Sequence, residues 1–172
     1  NGDRTSRYTY KDITYIVNEV TGEEITSYAQ PLELEHVPTS VEMERAHEQA
    51  FARIQCDLDS WTSNSVLVVD TSGSMKAGDV WGTRSRLGAV WISIALDFLA
   101  RRLETGEGGP TDVVSIVTLG DPSRVVVKEQ PCTCVLYNKL VSIYSELLIP
   151  PYGHGPFLPS LTKAEGLLMR NS

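Results

Sequence analysis

A short apolar run that ends in a hydroxyl-rich loop constrains the fold of this chain more than any other feature. Residues 65–69 read Ser-Val-Leu-Val-Val, and residues 70–74 follow with Asp-Thr-Ser-Gly-Ser. An apolar run of this length, bounded by turn residues, is typical of a strand that is buried on both faces. Such strands belong to α/β folds, in which helices cover both faces of a mostly parallel sheet.

The chain after this loop continues the α/β pattern. Helices are predicted over residues 85–104, 138–148 and 159–169, and strands over residues 113–119 and 123–128. The first of these helices is apolar on nearly every side, so we expect it to be buried on more than one face. The turn between the two strands is short, which indicates an antiparallel hairpin. These elements predict a single α/β domain over residues 61–172.

The first 60 residues have a different character and are predicted to form an extension of unknown role. Runs at 8–10, 13–17 and 24–28 are rich in β-branched and aromatic residues, which favours a β-hairpin. Thr39 and Glu42 have the spacing of a capping box, and a helix is expected over residues 41–55. A lone hairpin is marginal in water, so we expect it to pack on another element.

Three oxygen-bearing side chains alternate in the loop after the apolar run: Asp70, Ser72 and Ser74. In open α/β sheets, ligands bind at the carboxyl ends of strands. Carboxylate and hydroxyl oxygens are hard ligands that suit Mg²⁺ or Mn²⁺. A single carboxylate leaves such an ion underneutralised, and the ion would therefore attract an acidic residue of a partner protein. The loop predicts a binding device and not a reaction centre.

The residues around this loop resemble a known family. Residues 66–75, Val-Leu-Val-Val-Asp-Thr-Ser-Gly-Ser-Met, resemble the metal-ion-dependent adhesion site of von Willebrand factor A (VWA) domains. The resemblance covers roughly residues 64–170. It implies a Rossmann-like fold, Mg²⁺ or Mn²⁺ as the cofactor, and Asp70, Ser72 and Ser74 as metal ligands, directly or through water.

The chain departs from the family pattern at two places. The family supplies a Thr from a later Gly-rich loop, whereas Gly155 falls at the matching place here. The family also has a further core strand after the last helix, ending in an Asp, and this chain stops at Ser172 before such a strand. We therefore expect the sequence to be part of a longer chain or a larger assembly. Asp121 and His154 are further candidates to border the site, the alternatives being a turn-forming Asp and an ordinary loop His.

Two other functions compete with cation-dependent binding. A degenerate VWA domain without metal would act as a structural scaffold, which the Gly155 departure favours. An aspartic-peptidase-like hydrolase is suggested by Asp70-Thr71-Ser72-Gly73, although Ser72 interrupts the Asp-Thr-Gly motif of those enzymes. The sequence has no G-x-S-x-G elbow and no phosphate-binding Gly-rich loop with Lys, so we expect no enzymatic activity.

Composition narrows the partner classes. The net charge is −7, and no basic run occurs, which disfavours nucleic acid and anionic membranes as partners. No stretch of about 18 apolar residues predicts a transmembrane helix. The odd set of Cys56, Cys132 and Cys134 does not make a disulfide framework. We expect reduced thiols in a cytoplasmic protein, with the last two buried in a strand; a redox pair or half a soft-metal site are the alternatives.

Overall fold

The computed structural model describes residues 5–10, 13–18, 24–29, 32–120 and 122–171. Its strands are β1 (Thr5–Tyr10), β2 (Ile13–Asn18), β3 (Glu24–Ala29), β4 (Ser63–Asp70), β5 (Asp112–Leu119) and β6 (Arg124–Pro131). Its α-helices are α1 (Val41–Cys56), α2 (Arg86–Ser93), α3 (Arg101–Thr105), α4 (Cys134–Ser145) and α5 (Phe157–Leu168). Together they form a mixed α/β fold with two separate three-stranded sheets.

The first sheet contains the N-terminal strands. β1 pairs antiparallel with β2, and β2 pairs antiparallel with β3, in the order β1-β2-β3. The β character predicted for this region is therefore confirmed, but the predicted hairpin has a third strand. In the described residues these strands do not pair with β4–β6. The packing of this hairpin on another element depends on side chains that the structure does not describe, so that expectation stays a prediction.

Helix α1 follows the sequence prediction to within one residue at its C-terminal end. Its N-cap, however, is Ser40 and not Thr39: the Ser40 hydroxyl accepts a hydrogen bond from the Met43 backbone N–H at 3.2 Å. The Thr39 hydroxyl instead donates to the Glu44 carboxylate at 3.1 Å. The capping-box spacing thus located the helix start but assigned the cap one residue too early.

The second sheet carries the apolar run. β4 pairs parallel with β5 in continuous register, and β5 pairs antiparallel with β6. The predicted antiparallel pairing of the second and third core strands is confirmed. The sheet is mixed and small, however, since one of the two strand pairings in the described residues is antiparallel. The expectation of a mostly parallel sheet is not met there.

Burial along β4 differs from the prediction. Only Val69 is buried, and the other residues of the strand are half-buried. β5, by contrast, is buried along its whole length. The reason is topological, because β4 has a hydrogen-bonded neighbour on one side only among the described residues, whereas β5 lies between two strands. The apolar run correctly predicted a parallel strand and overestimated its burial.

Helices cover both faces of this sheet, as predicted. On one face Val114 and Ile116 of β5 join a core with Leu99 and with Leu140 of α4. On the other face Val117 packs with Ala164 and Leu167 of α5. The two faces follow from the strand period of two, which sends successive side chains of β5 to opposite sides.

The predicted helix over residues 85–104 is one helical stretch with an irregular middle. Ser85 caps it by accepting a hydrogen bond from the Gly88 N–H at 3.0 Å. Residues Ile94–Ala100 adopt π-helical geometry between α2 and α3. The apolar pattern continues through this stretch. The sequence therefore predicted that the helix is buried, but it did not predict the change from α-helical to π-helical geometry. Gly106, at φ 73°, ends the stretch in a left-handed conformation that glycine adopts without strain.

Helices α4 and α5 begin earlier than predicted. α4 starts at Cys134, four residues before the predicted start. Its N-cap, Thr133, has an extended backbone conformation. Cys134 is therefore a half-buried helix residue and not a strand thiol, while Cys132 is buried just after β6. All three cysteines are free. In the described residues, no helix is both long and apolar enough to cross a membrane.

Candidate metal centre

Asp70 stands at the carboxyl end of β4, where the strand gives way to a tight loop. One carboxylate oxygen, Oδ1, accepts a hydrogen bond from the Ser72 backbone N–H at 2.7 Å. This local turn fixes the orientation of the carboxyl group. Among the described residues no donor is bonded to the other oxygen, Oδ2, which leaves it available to a ligand. Asp70 is half-buried, so its charge is reachable from solvent.

The two serine hydroxyls lie side by side. Ser72 Oγ and Ser74 Oγ are 3.1 Å apart, at the start of the 3₁₀ turn Gly73–Lys76. Neighbouring ligands of an octahedral Mg²⁺ are about 2.9 Å apart, because each lies about 2.0–2.1 Å from the ion. The spacing of the hydroxyls is thus close to one edge of a magnesium shell. The two hydroxyls are also within hydrogen-bonding distance of each other, and a bound ion would replace that contact.

A second loop holds the Asp70 loop in place. The Tyr152 N–H donates to the Thr71 carbonyl oxygen at 2.8 Å, and the Gly73 N–H donates to the Gly153 carbonyl oxygen at 2.9 Å. The Thr71 N–H also donates to the Leu119 carbonyl oxygen at 3.2 Å, at the end of β5. The Asp70 loop is therefore braced by backbone contacts on both sides, and the buried Thr71 hydroxyl adds a further contact to the Leu119 carbonyl oxygen.

The predicted site residues line one open cavity of about 410 Å³. Asp70, Ser72 and Ser74 form one side of it, and His154 and Gly155 form another. Asp121 lies outside the described residues. Phe157, the first residue of α5, also lines the cavity and is 67% exposed. Phe157 was not predicted as a site residue; its position after a Pro/Gly loop was the available signal.

Gly155 lies directly against the Asp70 carboxyl group. A Cβ added at this position would be 3.5 Å from Asp70 Oδ1, 3.1 Å from the Leu119 carbonyl oxygen and 2.4 Å from Leu119 Cδ2. The backbone is thus at the place that the family resemblance assigns to a Thr. The space for such a side chain is filled by Leu119, and no hydroxyl reaches the site from here.

The donor chemistry fits a hard, weakly held cation. Two hydroxyls and one carboxylate are oxygen ligands, and Asp70 is the one acidic residue among the described residues that line the cavity. No cluster of three or more His, Cys, Asp and Glu side chains within the described ranges could hold a metal ion. The residues therefore fit Mg²⁺ or Mn²⁺ that keeps several waters, and they do not fit a zinc-type site.

No protein-family model matches the chain, and no curated protein shows significant similarity to it. The assignment of this loop accordingly rests on the residues of the loop and on their geometry. Asp70 and the two serines are brought to one cavity, as their spacing predicted.

Proposed function

We propose that this chain is a protein–protein interaction module that holds Mg²⁺ or Mn²⁺ on Asp70, Ser72 and Ser74 and binds an acidic residue of a partner through the ion. One observation carries the proposal: these three oxygen-bearing side chains line one solvent-open cavity at the carboxyl end of a core strand. The proposal makes the chain a binding protein and not an enzyme.

The charge at the site explains why the ligand is acidic. A divalent cation beside a single carboxylate retains about one positive charge, and the hydroxyls are neutral donors. A carboxylate from another molecule would complete both the charge and the coordination shell. The cavity is open to solvent, so a protruding Asp or Glu side chain could enter it.

We further infer that the mixed sheet belongs to a Rossmann-like VWA domain. In support, β4 and β5 are parallel and connected by the long helical stretch, β6 returns antiparallel, and helices cover both faces. The metal loop then stands at the carboxyl edge of the sheet, where ligands of such folds bind.

A metal-free scaffold is the second candidate. The observation that favours it is the position of Gly155, which brings backbone and not a hydroxyl to the Asp70 carboxylate. A peptidase has no comparable support, because a carboxylate dyad needs two acids and the described cavity lining contains one.

A thermal melt with and without millimolar Mg²⁺ or Mn²⁺ separates the first two candidates. Ligand binding to the folded state stabilises it by about 2.7 kcal/mol at 100 times the dissociation constant. We expect a cation-dependent rise in Tm that is absent in Asp70→Ala. Asp97→Ala, at an exposed Asp in the π-helical stretch, is the matched control and should keep the rise. No cation-dependent rise in the parent chain, or an equal rise in Asp70→Ala, would contradict a cation on Asp70 and leave the scaffold.

A further inference from the structure

A second cavity lies beside the proposed metal site. It has a volume of about 330 Å³ and is lined by Thr71, by Thr118 and Arg124 of the β5–β6 hairpin, and by residues of the loop that precedes α5. Thr71 sits between the two cavities in sequence, since its neighbours Asp70 and Ser72 line the metal cavity. The Tyr152 N–H donates to the Thr71 carbonyl oxygen, and both residues line the second cavity.

The two threonine hydroxyls inside this second cavity are already hydrogen-bonded to backbone. The Thr71 hydroxyl donates to the Leu119 carbonyl oxygen at 3.2 Å. The Thr118 hydroxyl donates to the Arg124 carbonyl oxygen at 3.3 Å and accepts from the Arg124 N–H at 3.2 Å. The rest of the lining is largely apolar and includes Val126, Ile149 and Pro151. The cavity therefore favours an apolar group, and its volume is at the small end of ligand pockets.

One positive charge stands at this cavity. Arg124 is exposed, and among the described residues no carboxylate lies within 4.0 Å of its guanidinium group. On a chain with a net charge of −7, Arg124 places a positive side chain at the edge of this apolar cavity. The positive charge of Arg124 would attract an anion, as would the proposed cation in the first cavity.

The rim of the two cavities is aromatic. Tyr152 is 72% exposed on the second cavity, and Phe157 is 67% exposed on the first. Exposed aromatic side chains are enriched at protein–protein interfaces, where they supply rigid contact area. A small ligand would leave these rings in water, whereas a peptide would cover them.

We propose that the two cavities form one binding groove for an extended acidic peptide of a partner protein. This inference rests on the proposed function: the peptide's acidic residue binds the cation on Asp70. An aliphatic or aromatic residue two positions away fills the second cavity, and a further acidic residue pairs with Arg124. Residues i and i+2 of an extended chain project from one face about 6.6 Å apart, so we place the apolar residue two positions from the acidic one.

The test is a selection on an oriented peptide library with one fixed Asp flanked by four randomised positions on each side. The library is bound to the immobilised full chain in Mg²⁺ and eluted with EDTA. We expect apolar residues to be enriched two positions from the Asp, with Asp or Glu enriched beyond them on the same side. The acidic enrichment should be about two- to fivefold, the size typical of an exposed ion pair.

Three variants make the result specific. Arg124→Glu should abolish the outer acidic preference, and Arg101→Glu, at an exposed Arg of α3 that lines neither cavity, should leave it unchanged. Tyr152→Ser should weaken the apolar preference; its side chain is exposed and only its backbone braces the loop. Asp70→Ala should abolish recovery altogether.

The outcomes separate this inference from the proposed function. Recovery that depends on Mg²⁺ and Asp70 but shows no apolar or outer acidic preference overturns the groove and leaves the cation bridge. Preferences that survive in Arg124→Glu and Tyr152→Ser also overturn the groove. A melt that is insensitive to the cation, together with no EDTA-eluted peptide, overturns both.

Discussion

At position 155 the backbone, and not a side chain, faces the Asp70 carboxyl group. The added Cβ would meet Leu119 at 2.4 Å from its Cδ2 and 3.1 Å from its carbonyl oxygen, so Leu119 would have to move. We predict that Gly155→Ala lowers the free energy of unfolding by about 1–3 kcal/mol, the usual cost of overpacking. Urea denaturation measures this.

Gly166 provides the matched control, because a Cβ there meets nothing within 4 Å and the residue lies inside α5. Gly166→Ala should raise the free energy of unfolding by up to about 1 kcal/mol. If Gly155→Ala were as stable as the parent chain, the close approach of Leu119 to this backbone would be contradicted.

The three thiols differ in their surroundings. Desolvation by burial raises the pKa of Cys132 from 9.0 to about 11, whereas Cys56 is exposed on α1. Because the thiolate is the reactive form, iodoacetamide at pH 8 should modify Cys56 readily and spare Cys132 in the folded protein. Peptide mass spectrometry after a short exposure reads out both sites. Modification of Cys132 as fast as Cys56 without denaturant would show that the described burial is wrong.

Among the helices and strands, those with a clear periodic pattern of apolar residues were predicted best. The bounds of α1 and β5 were close, because the helical spacing of apolar residues in α1 and a continuous apolar run in β5 are local signals. The edge position of β4 and the early start of α4 were missed, since strand neighbours and caps depend on the rest of the fold. The proximity of Asp70, Ser72 and Ser74 could be predicted because they are close together in sequence, whereas the contacts of Gly155 are tertiary.

A buried ion pair that sequence reasoning missed links β6, α1 and the 3₁₀ turn Met169–Asn171, which follows α5. Glu129 of β6 is fully buried, and Arg170 Nη1 donates to both of its carboxylate oxygens at 2.5 and 2.6 Å. Gln55 of α1 donates to the same carboxylate at 3.2 Å. This cluster could not be predicted from the sequence, because Lys128-Glu129-Gln130 has the composition of an exposed strand end.

We predict that Arg170→Met lowers the free energy of unfolding by about 2 kcal/mol. Breaking a buried pair typically costs roughly 3–5 kcal/mol, but the Arg170 side chain is 38% exposed and water replaces part of its contact. In a Glu129→Gln background the same substitution should cost at least about 1 kcal/mol less, since no buried charge is left unpaired. Equal costs in both backgrounds would contradict the coupling.

For the whole molecule, the central sheet leaves one strand edge without a neighbour among the described residues. β4 pairs only with β5, and a groove of about 450 Å³ beside it is lined by Leu67 and by apolar residues of the long helical stretch. Exposed apolar edge strands promote pairing between chains, and a Lys on the edge opposes it.

We therefore predict that the chain self-associates with rising concentration and that Ser65→Lys, on β4, reduces this association. Ser145→Lys, at an exposed position of α4 that does not line the groove beside β4, adds the same charge away from the edge and should change little. Sedimentation velocity over a concentration series measures the effect. Equal reduction by both variants would assign the effect to net charge and not to the edge.

The number of Mn²⁺ ions bound per chain decides whether Asp70, Ser72 and Ser74 hold a cation. The loss of the solvated Mn²⁺ signal in electron paramagnetic resonance gives this number. We predict one ion per chain, lost in Asp70→Asn and retained in Asp97→Asn. No bound ion at millimolar Mn²⁺ in the folded chain, or binding that Asp70→Asn leaves unchanged, would contradict a cation site on Asp70, Ser72 and Ser74.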